Sequence, residues 1–234
     1  MINIDEIIEI NKKFYSDVGF EFDQTRKVFW PGGDKILTFL KDKSQNILVA
    51  DIGCGNGRFA EFLLNNGLNF SYTGFDTNDF LLDKANEKFN LNSNIKFINH
   101  DCVKNLESIK NKYDLVVAFG VTHHIPSYEF RKKWFRDLAD LVEKDGILTF
   151  SNWRIDTIQN FKDKIIKTDI ILEDNDYFIG WDDSLAKRYI HIYKEEEIQT
   201  IISLLKDKGL LLKQRFLSDG RTNELNEYFV FVKC

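Results

Sequence analysis

Two kinds of hydrophobic pattern alternate along the chain. Short apolar runs typical of strands are separated by segments in which apolar residues recur every three or four positions, the spacing of a helix face. The strand-type runs are residues 46–53, 71–76, 94–101, 113–120, 147–153, 210–217 and 228–233. Because the first five runs alternate with helical patterns, we expect a doubly wound α/β fold with a mostly parallel sheet. The last two runs predict a terminal hairpin that adds an antiparallel strand.

The helical segments have recognisable ends. One begins at Arg58, directly after a glycine-rich loop, and another covers residues 78–89. We expect Ser127 to cap a third helix that runs to Val142, because serine side chains accept hydrogen bonds from the first free N–H groups of a helix. A late helix with a continuous apolar face ends before Gly209, a predicted C-cap.

Composition changes this picture little and excludes several classes of protein. The 234 residues suit one domain, and no apolar run approaches the length of about 20 residues needed to span a bilayer. The acidic N-terminus does not resemble a secretory signal, and the three cysteines lack the spacing of zinc or disulfide sites, so we expect a cytoplasmic protein without a structural metal. A net charge of −5 does not indicate a general nucleic-acid binder, so any RNA contact must be local.

The stretch DIGCGNG, residues 51–57, follows the first strand and should lie at the ligand-binding edge of the sheet. A Walker-type loop needs Lys and then Ser or Thr after its last glycine, whereas this chain has Arg58 and Phe59. The glycines are spaced G-x-G-x-G and not G-x-G-x-x-G as in dinucleotide sites. Asp51 would repel a pyrophosphate, yet it suits a cationic ligand such as the amino group and sulfonium of S-adenosylmethionine.

Acidic residues also end the next two strands. Asp76 could accept hydrogen bonds from both hydroxyls of a ribose, and Asp101 could accept from the amino group of adenine. A single acid at a strand end is often only a solvated loop residue. Three acids at three successive strand ends instead predict a nucleoside cofactor.

The motifs VADIGCGNG, GFD and HD together resemble the class I S-adenosylmethionine-dependent methyltransferases over residues 46–153. The resemblance implies a Rossmann-like, seven-stranded sheet with an antiparallel last strand, and methyl transfer by direct displacement at the sulfonium. The cofactor-binding residues that it implies are Asp51, Gly53, Gly55, Gly57, Arg58, Asp76, Thr77, Asp101, Cys102 and Phe119.

The segment FGVTHHIP follows the fourth strand, where this family places residues near the departing methyl group. It lacks the Asn/Asp-Pro-Pro-aromatic motif of enzymes that methylate exocyclic base amines. Neither Cys54 nor Cys102 is well placed as the nucleophile that base C5 methylation needs. O-, S- and small-molecule N-methylation remain open. A carboxylate acceptor needs orientation more than a general base, and arginine is its natural partner.

Three further motifs resemble the eukaryotic tRNA wobble-uridine carboxymethyl methyltransferases. They are Thr25-Arg26 with Trp30, His123-His124, and Arg188-Tyr189-Ile190-His191-Ile192-Tyr193. The resemblance implies methyl esterification of a carboxymethyl group on the wobble uridine of tRNA. It implies catalytic roles for Arg26, His124, Arg188 and His191, with the arginines holding carboxylate or phosphate and the histidines lining the pocket. Substrate-binding roles fall to Thr25, Trp30, His123, Trp153 and Tyr189, of which Trp30, Trp153 or Tyr189 could stack a splayed base.

The same resemblance implies two partners, tRNA and a small zinc-binding activator subunit that pairs with the edge strand at 94–101. Lys162, Lys164 and Lys167 could contact RNA phosphates or simply form a solvated surface.

Two alternative functions stay open. Glu227 and Tyr228 replace the Asn-Trp that the wobble-uridine family usually carries before its last strand, so a small-molecule O- or N-methyltransferase is the first alternative. The second is a catalytically silent, methyltransferase-like subunit, although the three intact acids argue against it.

The chain should form a single domain with four parts. Residues 1–45 would be a helical segment that covers the substrate, and 46–153 the cofactor-binding half. Residues 154–193 would be a substrate-side insertion, and 194–234 the closing helix and hairpin.

Overall fold

The computed structural model describes residues 3–25, 29–40, 45–157, 161–181 and 186–234. Its α-helices are α1 (Ile4–Asp17), α2 (Gly19–Thr25), α3 (Gly33–Leu40), α4 (Arg58–Asn65), α5 (Asp79–Lys88), α6 (Tyr128–Asp140) and α7 (Glu195–Asp207). Its strands are β1 (Ile47–Ile52), β2 (Phe70–Asp76), β3 (Ile95–Asn99), β4 (Tyr113–Phe119), β5 (Val142–Trp153), β6 (Ile165–Ile166), β7 (Asp176–Gly180), β8 (Lys187–His191), β9 (Leu210–Ser218) and β10 (Asn226–Lys233). None of the helices in these ranges combines the length and the apolarity needed to cross a bilayer.

Seven of these strands form one sheet in the order β3-β2-β1-β4-β5-β10-β9. The first five run parallel, and β10 is antiparallel to both β5 and β9. Along β1 every residue except Leu48 is buried, as expected for a strand covered on both faces. The predicted doubly wound α/β fold with an antiparallel last strand is therefore confirmed.

Helices cover both faces of this sheet. On one face Trp134 of α6 and Leu205 of α7 are fully buried in an apolar cluster with the central strands. On the other face Leu37 of α3 and Phe59 of α4 pack in a second cluster. Strands β1 and β4 lie between the two clusters. Because these strands are parallel, their carboxyl ends lie at the same edge of the sheet.

Two local features differ from the sequence pattern. Ser127 occupies the N-cap position of α6, but with φ at 64° its hydroxyl makes no capping bond, and Glu173 instead accepts the N–H of Tyr128 at 2.6 Å. Strand β5 begins at Val142, five residues earlier than the apolar run indicates. Gly209 follows α7 with φ at 82°, which confirms the predicted end of the late helix.

A second, three-stranded antiparallel sheet in the order β6-β7-β8 has no counterpart among the predicted elements. It lies within the insertion 154–193 and contains the Arg-Tyr-x-His motif on β8. The edge of β8 is covered by α1, because the Asn11 amide bonds to the backbone of Tyr189 in both directions. The Tyr189 N–H donates to Asn11 Oδ1 at 2.7 Å, and Asn11 Nδ2 donates to the Tyr189 carbonyl at 3.2 Å.

Candidate active site

A cavity opens at the carboxyl ends of β1 to β4, and residues of α1 and α2 form one of its walls. The cofactor-side predictions that line it are Gly53, Gly55, Arg58, Asp76, Thr77, Asp101, Cys102 and Phe119. The acceptor-side predictions that line it are Trp30, His123, His124, Trp153 and Arg188. Both sets thus meet in one cavity. Arg26 lies outside the described residues.

The glycine loop after β1 has a backbone that only glycine adopts readily. Gly53 and Gly55 have φ values of 75° and 53°, in the left-handed region. A Cβ on Gly53 would come within 2.3 Å of Val121 Cγ2, while one on Gly55 would meet nothing closer than 3.9 Å. Gly57 faces away from the cavity, where Phe89 and Phe97 leave no room for a Cβ. The loop therefore exposes backbone without side chains to the cavity, and its opposite side packs closely against Phe89 and Phe97.

Asp76 is held by the backbone on either side of the cavity floor. Its two carboxylate oxygens accept the N–H groups of Gly55 and Asn78, each at 2.9 Å. Burial raises the pKa of Asp76, and these backbone hydrogen bonds oppose that shift. The carboxylate is thus fixed in place with lone pairs left over, which fits an acceptor for ribose hydroxyls.

Asp101 is engaged by charge as well as by backbone. One oxygen accepts the N–H groups of Val103 and Lys104, and the other lies 2.8 Å from the ammonium of Lys12. Burial raises the pKa of Asp101, but the Lys12 hydrogen bond and the two amides outweigh it and the pKa is lowered. Contact between Asp101 and an adenine amino group stays a prediction.

Asp51 lies beneath the loop and does not line the cavity, contrary to its predicted direct contact with a cationic ligand. The carboxylate is 4% exposed and accepts the hydroxyl of Tyr72 at 2.5 Å. Burial raises its pKa to about 7, with Tyr72 opposing and Asp76 reinforcing the shift. The reason for the difference is that the loop backbone passes between β1 and the cavity.

These features together fit S-adenosylmethionine. The bare glycine backbone allows close approach, Asp76 offers oxygen acceptors beside it, and apolar Leu81 and Phe119 complete the wall. Among the described residues no cluster of three or more His, Cys, Asp or Glu is arranged to hold a metal ion.

Arg188 is the most unusual residue on the acceptor side. Its side chain is 6% exposed, and its guanidinium carbon lies 4.7 Å from the ring centroid of Trp153, 5.0 Å from Phe14 and 5.2 Å from Trp181. Its Nε has no hydrogen-bond partner, and no carboxylate within the described ranges forms an ion pair with it. A buried cation that no carboxylate of the described residues pairs with is suited to attract an anion.

The two histidines after β4 are both neutral. His124 Nδ1 donates to the Tyr189 carbonyl at 2.8 Å, and its Nε2 lies 2.7 Å from the Tyr15 hydroxyl. Burial, reinforced by the charge of Arg188, lowers the pKa of His124 to about 3. His123 packs 5.0 Å from Trp153 and has an unpartnered Nδ1, and burial lowers its pKa well below the usual value. Both nitrogens of His124 are already hydrogen-bonded, so this ring cannot act as a general base at neutral pH.

Tyr189 and His191 do not line the cavity, contrary to prediction. Side chains alternate across a strand, so Arg188 faces the cavity and its neighbours on β8 face the other way. The Tyr189 hydroxyl donates to Asp176 at 2.7 Å, and His191 lies 2.7 Å from both Asp176 and Glu197. Arg131 completes this buried network with Glu197 at 2.7 Å. Tyr189 is therefore a core residue and offers no face for stacking.

The N-terminal motif is only partly placed. Thr25 is exposed, and its hydroxyl donates to the carbonyl of Phe22 and does not reach the cavity. Trp30 lines the cavity, with the guanidinium carbon of Arg58 lying 4.5 Å from its ring centroid. Lys162, Lys164 and Lys167 are exposed around β6.

Helix α1 supplies cavity residues that sequence reasoning missed. Asn11 and Tyr15 lie four positions apart and share one helix face, where they contact β8 and His124. Phe14 packs against Arg188 from the same helix. A polar asparagine on the otherwise apolar face of a helix was the signal that could have found this contact.

The chain is similar to known methyltransferases. Residues 49–146 match the family model of a methyltransferase domain. The chain is 27% identical to a malonyl-[acyl-carrier protein] O-methyltransferase of Ilyobacter polytropus over 70% of this chain and 62% of that protein. It is 28% identical to a tRNA (carboxymethyluridine(34)-5-O)-methyltransferase of Arabidopsis thaliana over 62% of this chain and 34% of that protein. The chain thus matches less than two thirds of the length of either relative.

A solved structure supports the same fold. Magnesium protoporphyrin IX methyltransferase from Synechocystis PCC 6803, solved with bound S-adenosylmethionine, superposes with a TM-score of 0.62 at 18% identity. The match covers 95% of this chain and 97% of that one.

Proposed function

Because residues 49–146 match a methyltransferase domain, we propose that the protein uses S-adenosylmethionine to methylate a carboxylate, and that this is the carboxymethyl group of a wobble uridine in tRNA. The observation that carries the proposal is the buried cation of Arg188, which has aromatic neighbours and no carboxylate partner in the described ranges. A carboxylate would supply the missing counter-charge and can accept two parallel N–H groups from one guanidinium.

The neutral histidines support a carboxylate over an alcohol or amine. When bound, S-adenosylmethionine supplies an electrophilic methyl group on a cationic sulfur. An alcohol or a protonated amine would have to lose a proton. Both nitrogens of His124 are already hydrogen-bonded, and the strongly lowered pKa of His123 makes its unpartnered Nδ1 a weak base for that task. A carboxylate is already ionised near pH 7, so Arg188 has only to hold one oxygen in line with the methyl group.

The two curated relatives support the same chemistry. A malonyl group and a carboxymethyl group both end in a free carboxylate, and both proteins are named as O-methyltransferases. The tRNA acceptor is favoured by the Arg-Tyr-x-His motif, by the indoles of Trp30 and Trp153 on the cavity wall, and by the exposed lysines around β6. The activator subunit belongs to this proposal as well, since β3 is an edge strand with Ile98 exposed.

A malonyl thioester is the second candidate acceptor. The Ilyobacter relative favours it, because that match covers a larger share of this chain than the Arabidopsis match does.

The test is transfer of labelled methyl from S-adenosylmethionine to tRNA from a strain lacking its own wobble-uridine carboxymethyl methyltransferase, followed by nucleoside mass spectrometry. Parallel reactions contain malonyl-acyl carrier protein, and the tRNA reaction is repeated with a zinc-binding activator subunit. The variants are Arg188→Met and, as the matched control, Arg136→Met on the exposed face of α6.

Formation of the methyl ester of carboxymethyluridine, lost only in Arg188→Met, would support the proposal. Transfer to the malonyl thioester alone would favour the second candidate. Absence of transfer to either acceptor, with cofactor binding confirmed and the activator present, would contradict carboxylate methylation.

A further inference from the structure

Tyr15 takes part in a hydrogen-bond chain whose direction is fixed. The chain runs from the Tyr15 hydroxyl to His124 Nε2 at 2.7 Å, and from His124 Nδ1 to the Tyr189 carbonyl at 2.8 Å. A carbonyl oxygen only accepts, so the imidazole proton must be on Nδ1. A neutral imidazole then has a lone pair on Nε2, and the Tyr15 hydroxyl must donate to it.

The consequence concerns the hydroxyl oxygen of Tyr15, a residue that lines the cavity. Because its proton points to His124, the oxygen presents only lone pairs to the remaining space. The ring is held in place by an edge contact with Phe22 at 5.5 Å, and the Tyr15 carbonyl accepts Asn78 Nδ2 at 2.6 Å. The oxygen is therefore a positioned acceptor that cannot turn its proton toward a ligand without breaking the His124 bond.

An acceptor of this kind disfavours a carboxylate and favours a positively polarised group. Two oxygens facing each other through lone pairs repel, so Tyr15 is unsuited to hold the methyl acceptor, which Arg188 attracts. A carbon bound to a cationic sulfur carries polarised C–H groups, and such groups form weak C–H to oxygen hydrogen bonds.

We propose that Tyr15 is a cofactor-binding residue whose hydroxyl oxygen accepts C–H hydrogen bonds from the carbons attached to the sulfonium of S-adenosylmethionine, and that His124 is the positioning residue that orients it. The inference concerns the donor only and does not depend on which acceptor is methylated. It also changes the role of His124, whose contribution is to the direction of one hydroxyl.

The experiment compares binding of S-adenosylmethionine and S-adenosylhomocysteine by titration calorimetry. The second ligand lacks the methyl group and the positive charge, so it reports every other contact. We use the wild type, Tyr15→Phe and, as a matched loss of a tyrosine hydroxyl, Tyr113→Phe, which lies at the opposite end of β4 from the cavity.

Tyr15→Phe should weaken S-adenosylmethionine relative to S-adenosylhomocysteine by about 3-fold, the size of one or two weak hydrogen bonds. Tyr113→Phe should leave that ratio unchanged. An equal loss for both ligands would overturn the proposal, because the hydroxyl would then serve the shared part of the ligand. An unchanged ratio with full binding of both would overturn it as well. A second variant, His124→Leu, should show the same selective loss, since it frees the Tyr15 proton.

Discussion

The two walls of the cavity differ in how their charged side chains are paired. The cofactor wall carries Gly53, Gly55, Asp76 and Asp101, and the acceptor wall carries His123, His124, Trp153 and Arg188. On the cofactor wall, Asp76 and Asp101 accept backbone N–H groups from the loops that directly follow their own strands or the neighbouring one. On the acceptor wall, Arg188 is surrounded by rings from α1, β5 and the segment after β7, and it has no carboxylate partner among the described residues.

This difference indicates where ligand specificity resides. A carboxylate already satisfied by backbone groups keeps its geometry with or without ligand, so it serves a cofactor that every reaction cycle uses. A buried cation without a counter-ion is stabilised chiefly by what binds it. The acceptor wall should therefore discriminate between ligands by charge, and the cofactor wall by shape.

The largest effect is expected from removing the buried charge of Arg188. Arg188→Met should lower acceptor methylation by about 100-fold or more, because truncating one partner of a desolvated charge pair costs several kcal/mol. Binding of S-adenosylhomocysteine should stay within error of the wild type in calorimetry. A variant that lost both functions equally would show that Arg188 supports the whole cavity.

Asp51 lies beneath the loop and differs from the acids that line the cavity, because the cost of burying its carboxylate is only partly offset by the Tyr72 hydrogen bond. Its pKa is raised from 3.8 to about 7, so its stabilising contribution is complete below about pH 4 and is lost as pH rises toward 7. The Asp51→Asn variant has no titrating carboxyl group at this position. The free energy of unfolding of the wild type should therefore fall relative to that of the variant by roughly 2 kcal/mol between pH 5 and pH 7.

Urea unfolding of both proteins at the two pH values measures this difference, with other titrating groups cancelling in the comparison. Parallel changes in the two proteins would show that Asp51 is ionised across the range.

An intermediate effect is expected at the backbone-held carboxylate. Asp76→Asn should weaken S-adenosylhomocysteine by about 10-fold, because hydrogen bonds to a charged acceptor are about twice as strong as neutral ones. Calorimetry gives the affinity, and Asp83→Asn on the exposed face of α5 is the matched control. If Asp76→Asn instead changed acceptor KM alone, the assignment of the two walls would be reversed.

The smallest effect is expected at the contact between α1 and β8. Asn11→Ala removes both bonds to the Tyr189 peptide and should raise acceptor KM by about 3-fold, the equivalent of one net hydrogen bond, by loosening the strand that carries Arg188. Cofactor affinity should change less. Exposed Asn65→Ala is the control, and steady-state kinetics with the preferred acceptor distinguishes the two parameters.

The two walls also differ in how far the sequence reveals them. Asp76 and Asp101 were predictable because each directly ends an apolar strand, and parallel strands bring their carboxyl ends together. The sheet itself was predictable for the same reason. Asp51 shares that position, yet its depth beneath the loop depends on the loop's path, which spacing alone does not give.

The acceptor wall depends on contacts between distant segments. Asn11 and Tyr189 are 178 positions apart, and no local pattern links them. The run that contains Arg188, Tyr189 and His191 has a strand-like pattern, but only its place in the small sheet shows which face of the strand meets the cavity. Residues of α1 were missed because an amphipathic helix predicts burial without indicating what it covers.

The hydrogen bonds between Asn11 and Tyr189 of β8 provide a way to measure movement of α1. The Tyr189 amide hydrogen lies on the outer edge of the small sheet, bonded to Asn11 Oδ1. Its exchange with solvent deuterium therefore requires α1 to lift away from β8, and the exchange rate of this one amide measures how often the cavity wall opens. Slower exchange in the presence of S-adenosylhomocysteine would mean that a ligand on the cofactor wall already determines how long the acceptor wall stays closed.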